Sequence, residues 1–244
     1  MASVDRPRKT ALILAQRIVR DMHERDVQPG DMLQPERLMM EEYQAGRGTL
    51  RESLRYLELQ GLLVFKPGPG GGPIVRKPGA ESLAATLALL LQFDRAPYRV
   101  IAEARAAIEP LMARLAAERI DPERRAILQR SLVDMEHGIE DVETYLSTNE
   151  VFHNTIAWAS GNSLFGFLVD VMVGEMDISG AVHGVQYPIQ RRRAVLKAHQ
   201  RIFDAIDGGD QDGAEEAMRT HIDEYLTYAL KKYPEVMDKQ ITWR

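Results

Sequence analysis

A chain of 244 residues, 45% hydrophobic and 27% charged, is long enough for one large domain or two ordinary ones. No apolar run approaches the ~20 residues a membrane helix needs, and the absence of cysteine excludes disulfides and thiolate metal sites, leaving His, Asp, Glu and Asn as possible ligands. The net charge of -5 hides an asymmetry: residues 1–79 hold 13 Lys and Arg against 10 Asp and Glu, a net of +3, and the remainder carries -8. A basic unit joined to an acidic one is a weak pointer to a nucleic-acid reader fused to something else. "MASVDRPRKT" has no apolar core and no cleavage site, so no signal peptide is expected, and a cytoplasmic location away from membranes is.

Ala11, Ala15, Ile18 and Met22 form a helical stripe and predict a helix over 10–26. "QPGD" (28–31) breaks it with Pro-Gly turn chemistry. Pro35 suits the first turn of a second, short helix through "ERLMMEEY". "QAG" turns the chain into a third helix from about Arg47 to Gln60, and Gly61 is a natural stop. Leu50, Leu54 and Leu57 make the apolar stripe of that third helix, while Arg47, Arg51 and Arg55 recur every four residues on another face. A short helix turned into a helix with a core stripe and an arginine stripe is what a helix-turn-helix requires. Arginine suits the role because its planar fork reads guanine edges and grips phosphates. Three arginines alone read better as a solvated face. After Gly61, "LLVFK" and "IVRK" flank "PGPGGGP" and predict a hairpin, or wing, whose glycine tip either approaches a groove closely or is a flexible loop. Stripe, turn, stop glycine and wing in this order favour DNA binding.

The stretch "VQPGDMLQPERLMMEEYQAGRGTLRESLRYLELQGLLVFKPGPGGGPIV" resembles the winged helix-turn-helix of GntR-type bacterial transcription regulators. The matching features include Pro29-Gly30, Glu36-Arg37-Leu38, Arg47, Thr49, Leu50-Arg51-Glu52, Gly61-Leu62 and the Gly-rich wing. The resemblance implies that Arg37, Arg47, Thr49 and Arg51 contact DNA and that the wing near Gly70 and Gly71 enters the minor groove. Gly46 and Gly48 stand where the family often has hydroxyl residues, and Pro35 replaces a small polar one. One or two phosphate hydrogen bonds are therefore expected to be missing.

"KPGAES" (77–82) reads as a linker, which places a DNA-binding domain at 1–78 and an effector-binding and dimerisation domain at 79–244. The apolar run "LAATLALLLQF" (83–93) suits a buried helix. Helices are expected near 82–92, 97–119, 122–139, 141–160, 162–180, 188–207 and 210–232, with breaks at Asp121-Pro122, Gly161-Asn162, Tyr187-Pro188 and Gly208-Gly209. The fold class is mainly α: a winged helix-turn-helix followed by an all-α antiparallel helical bundle.

Three of the six histidines fall on apolar helix faces. His153 shares its face with Asn149, Ile156 and Ala157. His199 precedes Ile202, Phe203 and Ile206, and His221 sits with Ala217, Met218, Tyr225 and Tyr228. One such histidine is ordinarily a hydrogen-bonded core residue. Three on three helices leave open that they converge on one interior point, and imidazole is the commonest transition-metal ligand. His23, His137 and His183 lack that framing and read as surface or loop residues.

"AEARAAIEPLMARLAAERI", "NEVFHNTIAWASGN", "KAHQRIFDAIDGGD" and "AMRTHIDEYL" resemble, in order, segments of the FCD ligand-binding domain that follows the GntR reader in the FadR-like subfamily. The resemblance implies a metal, zinc first and nickel or manganese next, held by His153, His199 and His221 with Asn149 as a fourth ligand. Asn149 occupies the family's aspartate position and leaves the ligand set without a negative charge. The affinity then falls, or an anionic effector supplies the charge, or the metal has been lost. Arg105 is a candidate to pair with an effector carboxylate, with a surface salt bridge as its alternative. The function expected is a ligand-responsive regulator, a homodimer on a palindromic operator, with a small organic acid as effector and repression as the family's commoner mode. The alternatives are a metal-dependent enzyme acting on a small carboxylate and a DNA-binding protein with a purely structural bundle.

Overall fold

The computed structural model describes residues 5–68, 70–175 and 187–243. Residues 176–180 of the helix expected at 162–180, and His183, lie outside them. Two compact units divide the chain, residues 1–82 and 83–244, against the expected boundary at 78/79.

In the first unit α1 (Asp5–Glu24), α2 (Glu36–Tyr43) and α3 (Arg47–Leu59) pack beside a two-stranded sheet. The stripe of α1 is buried as Ala11, Leu14, Ala15, Ile18 and Met22, against Leu50, Leu54 and Leu57 of α3. Ser53 is buried too, and its hydroxyl donates to the Ala11 carbonyl at 2.8 Å, which ties α3 to α1. Gln44, at φ 51°, ends α2. Gly61, at φ 73°, ends α3, with the Leu62 N–H returning to the Leu57 carbonyl in the six-to-one pattern of a left-handed helix cap.

Strands β1 (Leu63–Lys66) and β2 (Gly72–Val75) pair antiparallel, Leu63 opposite Val75 and Lys66 opposite Gly72. Two residues expected in the wing tip, Gly72 and Pro73, therefore belong to β2. Residues 30–33, expected as turn alone, also run along β2: Met32 bridges Ile74, and the Leu33 and Val75 N–H groups donate to Pro73 and Asp31 carbonyls at 2.8 Å. The tip requires glycine. Gly70 lies at φ 76°, and a Cβ on Gly71 would stand 2.1 Å from the Lys66 carbonyl oxygen.

The second unit is helical: α4 (Glu81–Phe93), α5 (Arg99–Arg119), α6 (Pro122–His137), α7 (Val142–Ala159), α8 (Ser163–Val169), a π-helical turn (Asp170–Glu175), α9 (Ile189–Asp207), α10 (Gln211–Lys232) and short α11 (Pro234–Met237). Four starts are capped by side chains, as Asp121, Asp141, Asn162 and Asp210 accept N–H bonds from the first turns. Helix α5 packs on α7, α9 and α10, and α6 covers α7 and α9. Phe152, Met112, Ile156, Ile202, Ile206, Met218 and Ile222 fill the core.

Two expectations need correction. The helix placed at 162–180 gives way after Val169 to the π turn, a distortion of hydrogen-bond register that apolar periodicity does not reveal. Helix α4 is not buried: Ala84 is its one buried residue, and Leu90 and Phe93 are 61% and 89% exposed. Its apolar composition suggested a core, but α5, α7, α9 and α10 already supply the bundle's interior. No described helix is long and apolar enough to cross a membrane.

Candidate functional site

Three helices bring the three apolar-face histidines to one point. His153 comes from the middle of α7, His199 from α9 and His221 from α10, each placed inward by the same periodicity that buries Ile156, Ile202 and Met218. All three are buried. The Nε2 atoms of His199 and His221 lie 3.2 Å apart, and those of His221 and His153 lie 3.4 Å apart. The three residues form a group whose ligand atoms lie within 4.8 Å of one another.

The back of the cluster fixes its chemistry. His153 Nδ1 lies 2.6 Å from Glu109 Oε2, and the other oxygen of Glu109 accepts from Arg105 Nε at 2.5 Å. A carboxylate against Nδ1 makes that nitrogen the N–H donor and leaves Nε2 as a lone pair facing the other histidines. His199 stacks flat on Phe152, with centroids 3.9 Å apart and 5° between planes, which sets its ring orientation. Its buried Nδ1 has no hydrogen-bond partner. Three Nε2 atoms aimed at one another cannot all be satisfied by mutual hydrogen bonds, since each N–H needs a lone pair opposite. A cation accepting all three lone pairs satisfies them together, so the residues present fit a transition metal.

Asn149, one turn before His153 on α7, lines a small cavity of about 30 Å³ with Arg105, Tyr145, Leu146, His153, Tyr187, His221 and Tyr225. That is room for roughly one or two water-sized groups. Arg105 is no surface residue. It is buried, ion-paired with Glu109, and its guanidinium carbon stands 5.8 Å from the Tyr225 ring centroid. Sequence reasoning missed Glu109, although its spacing of four from Arg105 on the face of Ala102 and Ala113 was a signal. Tyr145 was missed as well.

Electrostatics follow from burial. Burial pushes the Glu109 carboxyl up, but the Arg105 charge and the His153 contact overcome this and hold it well below the usual carboxylate range. Burial drives His199 and His221 well below the ordinary imidazole value, reinforced at His199 by His221 and His153 and at His221 by His153. Both are thus neutral when folded and free to charge when unfolded, so the stability they contribute is present above the unfolded imidazole value, ~6.5, and is lost as pH falls below it. Urea melts of chelator-treated protein at pH 7.5 and 5.5 are expected to show a loss on the order of 1 kcal/mol per histidine. Replacing both histidines by asparagine is expected to shrink that difference, and an unchanged difference would assign it to other groups.

In the first unit the arginine face of α3 lies beside its leucine face and is turned to solvent. Arg47, Arg51 and Arg55 are exposed, Thr49 is half-buried, and Arg37 is exposed on α2. Arg51 Nε donates to Glu36 Oε2 at 2.9 Å, and Arg37 donates to Glu41 at 2.7 Å. Gly46 precedes α3 without a side-chain cap. The partner role of Glu36 was not foreseen.

Residues 100–224 match the FCD domain family, and residues 10–71 match the family of bacterial regulatory proteins, gntR family. An uncharacterized HTH-type transcriptional regulator of Bacillus subtilis, YcbG, is 30% identical over 234 residues, 96% of this chain and 94% of that protein. A putative L-lactate dehydrogenase operon regulatory protein of Escherichia coli is 29% identical over 240 residues, 94% of this chain and 89% of that protein. The transcriptional repressor NanR of Klebsiella aerogenes is 26% identical over 197 residues, covering 79% and 75%. Among solved structures, a Streptococcus agalactiae GntR protein superposes with a TM-score of 0.69 at 25% identity, covering 89% of this chain and 99% of that one.

Proposed function

We infer, from the premise that this chain belongs to the GntR family of bacterial regulatory proteins and carries an FCD domain, that it is a repressor released from DNA by a small organic acid. Family membership supports a DNA-binding transcription regulator over an enzyme. The finer reading rests on one observation: three buried Nε2 atoms converge beside a cavity that a buried arginine lines. His153, His199 and His221 hold a divalent metal, zinc first and nickel or manganese next, with the Asn149 amide oxygen as a neutral fourth donor. The metal, when bound, supplies a positive centre for a carboxylate. Arg105 meets the same anion from α5, and the tyrosine-lined cavity widens from its present water-sized volume to admit it. Repression is supported by the NanR relatives, which are named repressors, and an organic acid by the relative named for an L-lactate dehydrogenase operon.

Residues 1–78 read the operator. Arg37, Arg47, Thr49 and Arg51 face the major groove and its phosphates, and Gly70 and Gly71 let the wing backbone approach the minor groove. A homodimer, formed through residues 79–244, presents two readers to a palindromic site. Effector binding shifts the poise of the readers because it favours one of two arrangements. Hydrolysis is disfavoured by Glu109, the carboxylate beside the cluster, whose two oxygens are engaged by Arg105 and His153.

The test is elemental analysis of protein purified without tag or chelator, followed by gel shifts with a panel of small carboxylates. About one zinc, nickel or manganese per chain and DNA release by an acid that is recovered unchanged are expected. No metal after reloading would refute the site, and turnover of the acid would restore the enzyme. Asn149→Asp is expected to raise zinc affinity on the order of tenfold by adding a charge-neutralising ligand. Competition with a chelator measures it, and equal or weaker retention would remove Asn149 from the ligand shell.

A further inference from the structure

We propose that Glu109 is the positioning residue and counter-charge of the metal centre, holding outside the ligand shell the negative charge that Asn149 leaves out of it. The inference rests on the histidine cluster being a metal site and concerns a residue that the sequence did not single out.

Three neutral imidazoles and an amide give a ligand shell with no negative charge, around an ion of charge +2. Burying such a centre is costly unless a carboxylate stands close. Among the described residues, Glu109 is a buried carboxylate one hydrogen bond from a ligand ring, 2.6 Å from His153 Nδ1. Accepting that N–H does three things. It keeps the proton off Nε2, fixes the ring's rotation about its bond to Cβ, and pushes electron density toward the metal-facing nitrogen. Glu109 is itself held by Arg105, one turn earlier on α5, so its position is set from both sides. The contrast within the cluster supports the assignment. His199 Nδ1 has no partner, and that ring is oriented by stacking on Phe152. Glu109 enters at His153, the histidine one turn from Asn149.

Charge and geometry separate by substitution. Glu109→Gln keeps an amide oxygen to accept the His153 N–H but removes the charge. Zinc affinity, read by chelator competition, is expected to fall about 10- to 100-fold. Adding Asn149→Asp to that variant returns a carboxylate to the shell and is expected to recover the loss. Its gain there exceeds its gain in the wild-type protein, where Glu109 already supplies the charge. Cobalt(II) in place of zinc gives an absorption spectrum that shifts with ligand field, a readout that mere loss of fold stability does not mimic. Because Glu109→Gln leaves Arg105 buried without its carboxylate, the pair Arg105→Gln with Glu109→Gln is measured alongside, each variant checked by thermal melting. A smaller fall is expected in the pair, because removing Arg105 also removes a positive charge that acts on the cluster.

Wild-type zinc affinity in a folded variant overturns the proposal while leaving the site intact. Equal gains from Asn149→Asp with and without Glu109 also overturn it, since charge compensation predicts unequal ones. A wild-type protein that takes up neither zinc nor cobalt overturns the metal-site reading and the proposal with it.

Discussion

His199→Ala is expected to abolish stoichiometric metal retention. His199 is fully buried, its Nε2 3.2 Å from that of His221 and its ring flat on Phe152. A four-ligand zinc site supplies ~10–16 kcal/mol, so one imidazole accounts for roughly 3–4 kcal/mol of it. At about 1.4 kcal/mol per decade that is a loss of 100- to 1,000-fold in affinity. Losing the ring also opens a cavity against Phe152, and cavities of this kind cost a core roughly 2–5 kcal/mol. His199→Gln keeps more of the volume and separates the two effects: both variants are expected to lose the metal, and the glutamine variant to melt closer to the wild type. Titration of each with zinc against a competing chelator, beside its melting curve, gives the answer. Wild-type zinc affinity in a folded His199→Ala protein would mean that the histidines are core residues satisfying one another and that metal, if any, binds elsewhere.

Arg51→Ala and Arg47→Ala are each expected to weaken operator binding by ~1–3 kcal/mol without unfolding the protein. Affinity and stability separate because the arginines and the leucines occupy different, adjacent faces of α3, centred roughly 90° apart. Leu50, Leu54 and Leu57 carry the core contacts and are untouched. The arginines are exposed, and the Glu36 bond of Arg51, an exposed ion pair, is worth at most about 1 kcal/mol to stability. Melting temperatures are therefore expected to stay near that of the wild type while affinity falls. The Glu36 bond occupies Arg51 Nε and leaves the terminal nitrogens of the fork for a base edge. If that side chain reads a base, Arg51→Ala lowers discrimination at one operator position. If Arg47 grips a phosphate, its loss weakens all sequences alike and reduces the salt dependence by about one ion. Gel shifts with a set of single-base operator variants at two salt concentrations distinguish these. Wild-type affinity in either variant would take that arginine out of the interface.

Helices of local origin, and the phase of the residues on them, are legible in the chain before it folds. Asp121, Asp141 and Asp210 cap their own next turns, Gly61 stops α3 through its own φ, and bonds of this kind span five residues or fewer. Phase alone put His153, His199 and His221 on buried faces, because 3.6 residues per turn is a property of one helix. What required two elements at once stayed hidden. Residues 30–33 became part of the wing through bonds to 73–75, and α4 stayed exposed because other helices had already filled the interior. Glu109 reached His153 across 44 positions of chain, and Glu36 reached Arg51 across 15. Only the packing of α5 against α7 and α10 decided that a carboxylate stands behind the first histidine and that three nitrogens on separate helices meet within 3.4 Å of a neighbour. The physical reason is range: caps and periodicity are written within a turn or two of backbone, whereas a buried ion pair or a ligand cluster exists only once tertiary contacts have removed water from around it.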